Sequence, residues 1–275
     1  MKWNHILFGK WNWKRPFISL ASIYALLAIS ACSFADRIIF QPPRTNYGEE
    51  LEGLTLIHSE NEDSIAAIHL KAPKNAPTII YSHGNAEDIG QNFELFREWR
   101  SQGIGVIAYD YPGYGLSPGK PTEKSTQQAI ERVWNYAIDS GIAATSIVIV
   151  GRSIGSGPSV WLTSSTKPAG LILISPLKSA FAVAMPIPIL PGDRFPNLKR
   201  IKKIETPLLV IHGVNDKVIP SSHGKALYEN SAATNKSLIE IPNAGHNDLF
   251  YVAGDEILKA TSDFINQVTK DASAN

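Results

Sequence analysis

From about residue 50 onward, apolar residues fall in short, β-branched runs separated by amphipathic segments of helical length. Runs that are apolar at consecutive rather than alternating positions are the mark of strands covered on both faces. Such runs occur at Thr78–Ser82, Gly105–Tyr109, Ser146–Val150, Leu171–Ile174, Leu208–Ile211 and Ser237–Ile241. Two earlier ones, Leu54–His58 and Ile65–Leu70, read as an antiparallel hairpin leading into the sheet. The segments between predict helices at Asp88–Ser101, Thr122–Ser140, Ile154–Ser165, Ser221–Asn230 and Asp255–Val268, several opened by Asp, Ser or Thr. The alternation predicts an α/β domain: an eight-stranded, mostly parallel sheet with helices on both faces. Between Pro176 and Glu205, four prolines (Pro186, Pro188, Pro191 and Pro196) prevent a long helix, so any lid is minimal. That stretch carries an apolar tract, Met185 to Leu190, and then a basic cluster of Lys199, Arg200, Lys202 and Lys203.

The amino terminus has a different pattern. Lys2, Lys10, Lys14 and Arg15 precede an uncharged stretch, Phe17 to Ala31, and no acidic residue occurs before Asp36. A cationic segment followed by an apolar one of this length has the form of a secretory signal. Its end, Ile29-Ser30-Ala31-Cys32, resembles a bacterial lipobox, which makes Cys32 the candidate lipid-attachment residue. Ser33 rather than Asp after that cysteine points to the outer membrane of a Gram-negative cell. Continued through Phe34 the stretch holds 18 uncharged residues, just enough for a tilted membrane helix, so an inner-membrane signal anchor is the alternative. Either way the cations stay inside and the domain lies outside, facing the periplasm. The expected organisation is a leader over 1–31, a tether over 32–50 and the α/β domain over 51–275.

Composition narrows the function. With 275 residues, 44% of them hydrophobic, the chain has enough apolar content for one large domain. The net charge is +1, and without the leader 22 Lys+Arg stand against 25 Asp+Glu, so nucleic acid is not an expected partner. A single cysteine excludes a disulfide framework, a CxxC pair and a thiolate cage. No HExxH, carboxylate cluster of metal spacing, dinucleotide glycine fingerprint or P-loop occurs, so neither metal nor cofactor is expected.

Two segments match G-x-S-x-G, Gly151-Arg152-Ser153-Ile154-Gly155 and Gly115-Leu116-Ser117-Pro118-Gly119. The first follows a predicted strand and opens a predicted helix, the context a nucleophile elbow needs to raise a serine hydroxyl above the sheet. The second places Pro118 after the serine, where a backbone N–H must be available for an oxyanion. Ser153 is therefore the candidate nucleophile, and Ser117 belongs to a glycine-shaped loop. A serine needs a base, and the base needs an orienting carboxylate. His246 follows the last strand in Asn243-Ala244-Gly245-His246-Asn247-Asp248, with His223 as runner-up. Asp216 follows the strand ending at His212, with Asp248 and Asp193 as alternatives. For the oxyanion, the backbone N–H groups of Asn85, after His83-Gly84, and of Ile154 are the candidates. His83 before its glycine turn and Asp110 at the end of a strand are expected to anchor loops. The order Ser153, Asp216, His246 is that of α/β-hydrolases.

Several of these segments together resemble the small, lid-poor α/β-hydrolases whose animal members include membrane-bound protein depalmitoylases. They are Phe40-Gln41-Pro42-Pro43, Ser82-His83-Gly84-Asn85-Ala86, Tyr109-Asp110-Tyr111, Gly113-Tyr114-Gly115, Gly119-Lys120-Pro121, Ser153-Ile154-Gly155, Ser175-Pro176-Leu177, His212-Gly213 with Asp216, and Gly245-His246-Asn247-Asp248. The resemblance implies an α/β-hydrolase fold and a serine hydrolase of carboxylic esters or thioesters. The expected partners are a small-molecule or acylated substrate and a membrane, reached through the N-terminal lipid or anchor. Animal members anchor through clustered cysteines, whereas this chain has one. Two rivals stand beside this reading: a peptidase or amidase resembling prolyl aminopeptidases, which usually carry a larger cap, and a noncatalytic binding protein of the same fold, which typically lacks a triad member.

Overall fold

A computed structural model describes residues 13–59, 62–185 and 190–274. Its elements run α1 (Arg15–Ile39), β1 (Leu54–Ser59), β2 (Glu62–Leu70), β3 (Thr78–Ser82), α2 (Phe93–Ser101), β4 (Gly105–Tyr109), α3 (Glu123–Asp139) and β5 (Ile147–Arg152). They continue with α4 (Ser156–Thr163), β6 (Gly170–Ile174), α5 (Ala180–Ala184), α6 (Asn197–Arg200), β7 (Leu208–Gly213), α7 (Ser222–Asn230), β8 (Lys236–Ile241) and α8 (Leu249–Ala274). The strands form one sheet in the order β1-β2-β4-β3-β5-β6-β7-β8. The β1–β2 hairpin pairs antiparallel with itself and with β4, and every other pairing is parallel. This is the α/β architecture that the apolar runs predict.

Alternation along each central strand sends neighbouring residues into two separate cores. Ile80, Ile107, Ile149 and Val210 meet α3, α4 and α7 on one face. Ile79, Val106, Val148 and Ile211 meet Phe96 and Trp99 of α2 and Ile257 and Ile265 of α8 on the other. Because β3 to β7 are covered on both faces, nearly every position in them is buried, which explains the continuous rather than alternating apolar pattern.

Helix boundaries differ from expectation where side chains redirect the backbone. The segment expected as helix from Asp88 becomes regular only at Phe93, after a 3-10 turn at Gly90–Asn92, because the Asp88 carboxylate accepts the Asn46 and Gln91 amides. The last helix begins at Leu249 rather than Asp255 and breaks at Ala253 (φ −141°, ψ 32°) before continuing. α3 starts with a reciprocal cap, Thr122 bonding the Ser125 amide and Ser125 bonding the Thr122 amide. Among the described residues, the insertion between β6 and β7 contains only the short helices α5 and α6 and a 3-10 turn at Ile201–Lys203.

The N-terminal helix α1 runs unbroken for 25 residues, about 37 Å at 1.5 Å per residue, past Cys32 to Ile39. No part of its most apolar window is buried, and its length and composition suit a membrane span. Only the last turns touch the domain: Ala35 is buried, and Asp36 pairs with Arg194 at 2.9 Å. Residues 40–47 then lie along the domain surface as an extended strap. Phe40 packs edge-on against Phe195 at 6.0 Å, Thr45 donates to the Gly115 carbonyl, and the Tyr47 hydroxyl donates to Asp110.

Candidate active site

The C-terminal ends of the parallel strands all open on one edge of the sheet, where loops converge. β5 ends there in a sharp turn, and Ser153 occupies its tip with φ +53°. A serine in the left-handed region stores roughly 1–3 kcal/mol of strain, held by tight packing around it. Two glycines make that packing possible. A Cβ on Gly151 would come within 2.6 Å of Ser159 Oγ, and one on Gly155 within 2.1 Å of the Ser82 carbonyl. The turn thus needs glycine at both ends, Gly151 because it presses against Ser159 and the Gly155 carbonyl, and Gly155 because it presses against the end of β3.

His246, on the loop after β8, places Nε2 2.9 Å from Ser153 Oγ and Nδ1 2.7 Å from Asp216 Oδ2. The three residues, separated by 93 and 30 positions, are brought together in the predicted order. The Asp216 side chain is fully buried, while that of His246 keeps about 10% of its surface exposed. Oδ1 of Asp216 accepts the amides of Val218 and Ile219 at 2.9 and 2.7 Å. Burial would raise the carboxyl group's pKa. Contacts with His212, His246 and the Ile219 amide outweigh it and hold the group well below the usual carboxylate range. An ionised Asp216 accepts from Nδ1–H, which leaves Nε2 as the basic nitrogen facing Ser153.

The sequence makes His212 a packed strand residue. It is fully buried, but its Nε2 also lies 3.3 Å from Asp216 Oδ2 and 2.8 Å from the Ile219 carbonyl, so it supports the carboxylate from behind. The i, i+4 spacing across the strand end is the signal that could have found it.

The turn after β3 faces the elbow: a Cβ on Gly84 would lie 3.6 Å from Ser153 Cβ. The Gly84 amide is committed to the Glu87 carboxylate, so Asn85 carries the next amide, and Ala86 adopts φ +56° to close the turn. Ile154, the residue after Ser153, is buried. Glu87 also pairs with Arg152 at 2.8 Å, and the Arg152 guanidinium lies 5.5 Å from the Phe250 ring centre. This bridge ties the elbow to the turn after β3, and no periodicity in the sequence announces it.

The competing candidates are committed elsewhere. Ser117 is buried, donating to the Asp110 carbonyl and accepting the Ala66 amide. His223 accepts the Lys178 amide, and burial with Lys178 nearby lowers its pKa to about 4. Asp248 accepts the Gly245 amide, and Asp193 accepts those of Phe181 and Arg194. His58 pairs with Ser64 and His69 with Tyr136. His83 and Asp110 form a fully buried pair at 3.3 Å, and Asp110 also accepts the Ile89 amide. Cys32 is exposed on α1. His5 and residues 186–189 of the apolar tract lie outside the described residues. Among the described residues, no group of three His, Cys, Asp or Glu side chains could hold a metal ion.

The profile of the family described as "Serine aminopeptidase, S33" matches residues 73–190 and 197–250. Human alpha/beta hydrolase domain-containing protein 17B is 41% identical over 191 residues, 67% of this chain and 66% of that protein. Mouse protein 17C is 40% identical over 182 residues, 65% of this chain and 57% of that protein. The chain therefore spans somewhat under two thirds of the length of these relatives. Among solved structures, a Pyrococcus furiosus esterase superposes with a TM-score of 0.70 at 18% identity, covering 84% of this chain and 98% of its own. A Paleococcus ferrophilus monoacylglycerol lipase does so at 0.60 and 18% identity, covering 74% and 99%. At that identity the superpositions establish a shared fold.

Proposed function

We propose that this chain, which belongs to the serine aminopeptidase (S33) family of α/β-hydrolases, is a serine hydrolase of carboxylic esters or thioesters working through an acyl-enzyme on Ser153. The observation that carries this reading is the continuous hydrogen-bonded chain from Ser153 through His246 to Asp216, at 2.9 and 2.7 Å. In the first half-reaction Ser153 Oγ attacks the acyl carbon while its proton passes to His246 Nε2. The oxyanion is received by the amides of Asn85 and Ile154. His246 then returns the proton to the departing alcohol or thiol. In the second half water attacks the acyl-enzyme, with His246 as base, and the acid leaves.

An acyl or lipid-like substrate suits a domain held at an envelope membrane, either by the exposed, apolar α1 as an anchor or, once the leader is removed, by a lipid on Cys32. Periplasmic placement follows from the cationic flank before α1.

The family's own description favours a second reading, cleavage of amides such as aminoacyl substrates. Rates on p-nitrophenyl esters of increasing chain length, on acyl thioesters and on aminoacyl p-nitroanilides separate the two. The proposal expects esters or thioesters to exceed anilides by orders of magnitude, with activity abolished by Ser153→Ala. Dominant anilidase activity would replace it with the peptidase reading, and full esterase activity in Ser153→Ala would end both.

A further inference from the structure

The amide assigned to the oxyanion belongs to Asn85, and the side chain of the same residue is gripped by the chain leaving α1. Its Nδ2 donates to the Ile39 carbonyl at 2.6 Å, and its Oδ1 accepts the Gln41 amide at 3.0 Å and the Tyr114 hydroxyl at 2.7 Å. The Gln41 amide also donates to the Tyr114 hydroxyl oxygen at 3.0 Å, closing a small ring of bonds. A carboxamide offers two donor hydrogens and one two-lone-pair acceptor, so most of its capacity is spent on this one junction.

The sequence of the strap explains why the junction is needed. Ile39 ends α1, and the last carbonyls of a helix have no partner within it. Phe40 leaves the helix in an extended conformation (φ −91°, ψ 128°), and Pro42 and Pro43 keep the strap extended and supply no amide. The Gln41 side chain reaches back to the Ile38 carbonyl, through Nε2 at 3.5 Å, while the Ile39 carbonyl and the Gln41 amide turn to Asn85. The strap is itself fixed on both sides, by Asp36 to Arg194 and Phe40 to Phe195 on the lid side, and by Thr45 and Tyr47 to the loop after β4. From within the domain, the Gly84 to Glu87 bond and the Glu87 to Arg152 pair hold the other end of the same turn.

We infer that Asn85 is a positioning residue, whose side chain locks the oxyanion-side turn onto the exit of the N-terminal helix, so that the strap from Ile39 to Gln41 is part of the catalytic scaffold. The inference rests on the serine-hydrolase reading above and adds to it a coupling between the chain's attachment segment and its turnover rate. Asn85→Ala keeps the backbone amide and removes the grip, and a donor displaced by about 1 Å costs on the order of a hundredfold in rate.

The test uses the full chain with a p-nitrophenyl ester. Asn85→Ala is expected to lower kcat roughly 10- to 100-fold with KM within about twofold, and to weaken binding of a boronic acid, which forms an anionic tetrahedral adduct on serine, in the same proportion. Gln41→Pro deletes one strap amide at an exposed site whose preceding residue is already extended, and is expected to lower kcat several-fold. Its effect should vanish in the Asn85→Ala background, because both act through one junction. Ser153→Ala, run alongside, reports separately on the underlying reading. Unchanged kcat in both single variants, with activity still dependent on Ser153, overturns the inference and leaves the hydrolase intact. Losses that multiply in the double variant, or boronate binding that stays at the wild-type level while kcat falls, overturn it too. If Asn85→Ala fails to fold, Gln41→Pro with the boronate measurement decides alone.

Discussion

The His246–Asp216 and His83–Asp110 pairs stand at the same edge of the sheet, and of these two only the first has a serine. His246 and Asp216 are 2.7 Å apart, with His246 partly exposed and its second nitrogen on Ser153. His83 and Asp110 are 3.3 Å apart, both fully buried, with the imidazole 4.2 Å from the Tyr111 ring and 5.4 Å from that of Tyr114. Burial opposes charge on His83, but Asp110 and Glu87 outweigh it and raise its pKa. Its Nδ1 meets the Gly84 carbonyl, so the ring is held by its own turn. Pairing an imidazole with a carboxylate therefore does not make a base. A base needs one nitrogen bound to the acid and the other facing a nucleophile that substrate can reach.

Substitutions that sharpen this contrast should differ by orders of magnitude. Ser153→Ala and His246→Ala are expected to lower kcat on p-nitrophenyl esters by about 10⁴- to 10⁶-fold with little change in melting temperature. Asp216→Asn should cost roughly 10³- to 10⁴-fold, because the wrong tautomer of His246 is then favoured. Asp110→Asn removes one partner of the buried pair and is expected to cost about 3 kcal/mol of stability in denaturant unfolding, with a far smaller loss of kcat. A hundredfold or greater kcat loss in Asp110→Asn at unchanged stability would erase the distinction between the two pairs.

The smallest effect lies in the pH dependence of stability. His223 has its folded pKa lowered to about 4, so the unfolded chain binds the extra proton. Its contribution is complete above about pH 6.5 and is lost as the pH falls toward 4. His83 has a raised folded pKa, so its contribution is complete below about pH 6.5 and is lost as the pH rises through the folded value. His223→Gln should flatten the acid side of a melting-temperature profile and His83→Gln the alkaline side, and the reverse assignment would contradict the burial and charge described for each.

The central strands β3 to β7 are readable because they are buried on both faces, which leaves few polar positions to blur the run. The candidate triad is readable because Ser153, Asp216 and His246 each follow a strand, so sequence position alone puts them at one edge. The lateral ties between those loops are not. The Glu87 to Arg152 bridge spans 65 positions and the Gln41 to Asn85 bond 44, and neither leaves a periodic trace. Residues 32–50 read as a tether between the leader and the domain. In the structure the first part is helical to Ile39, and the next is stitched to the domain by the Ile39 carbonyl and Gln41 amide, backbone groups any sequence possesses, and by the side chains of Phe40, Thr45 and Tyr47.

The central claim, that Ser153 is activated by His246, is tested most directly by labelling the folded chain with a fluorophosphonate and reading intact mass and the modified peptide. The account predicts one adduct, on Ser153, absent from Ser153→Ala and formed at least a thousandfold more slowly in His246→Ala. An adduct on another serine, or labelling of His246→Ala at the wild-type rate, would contradict it.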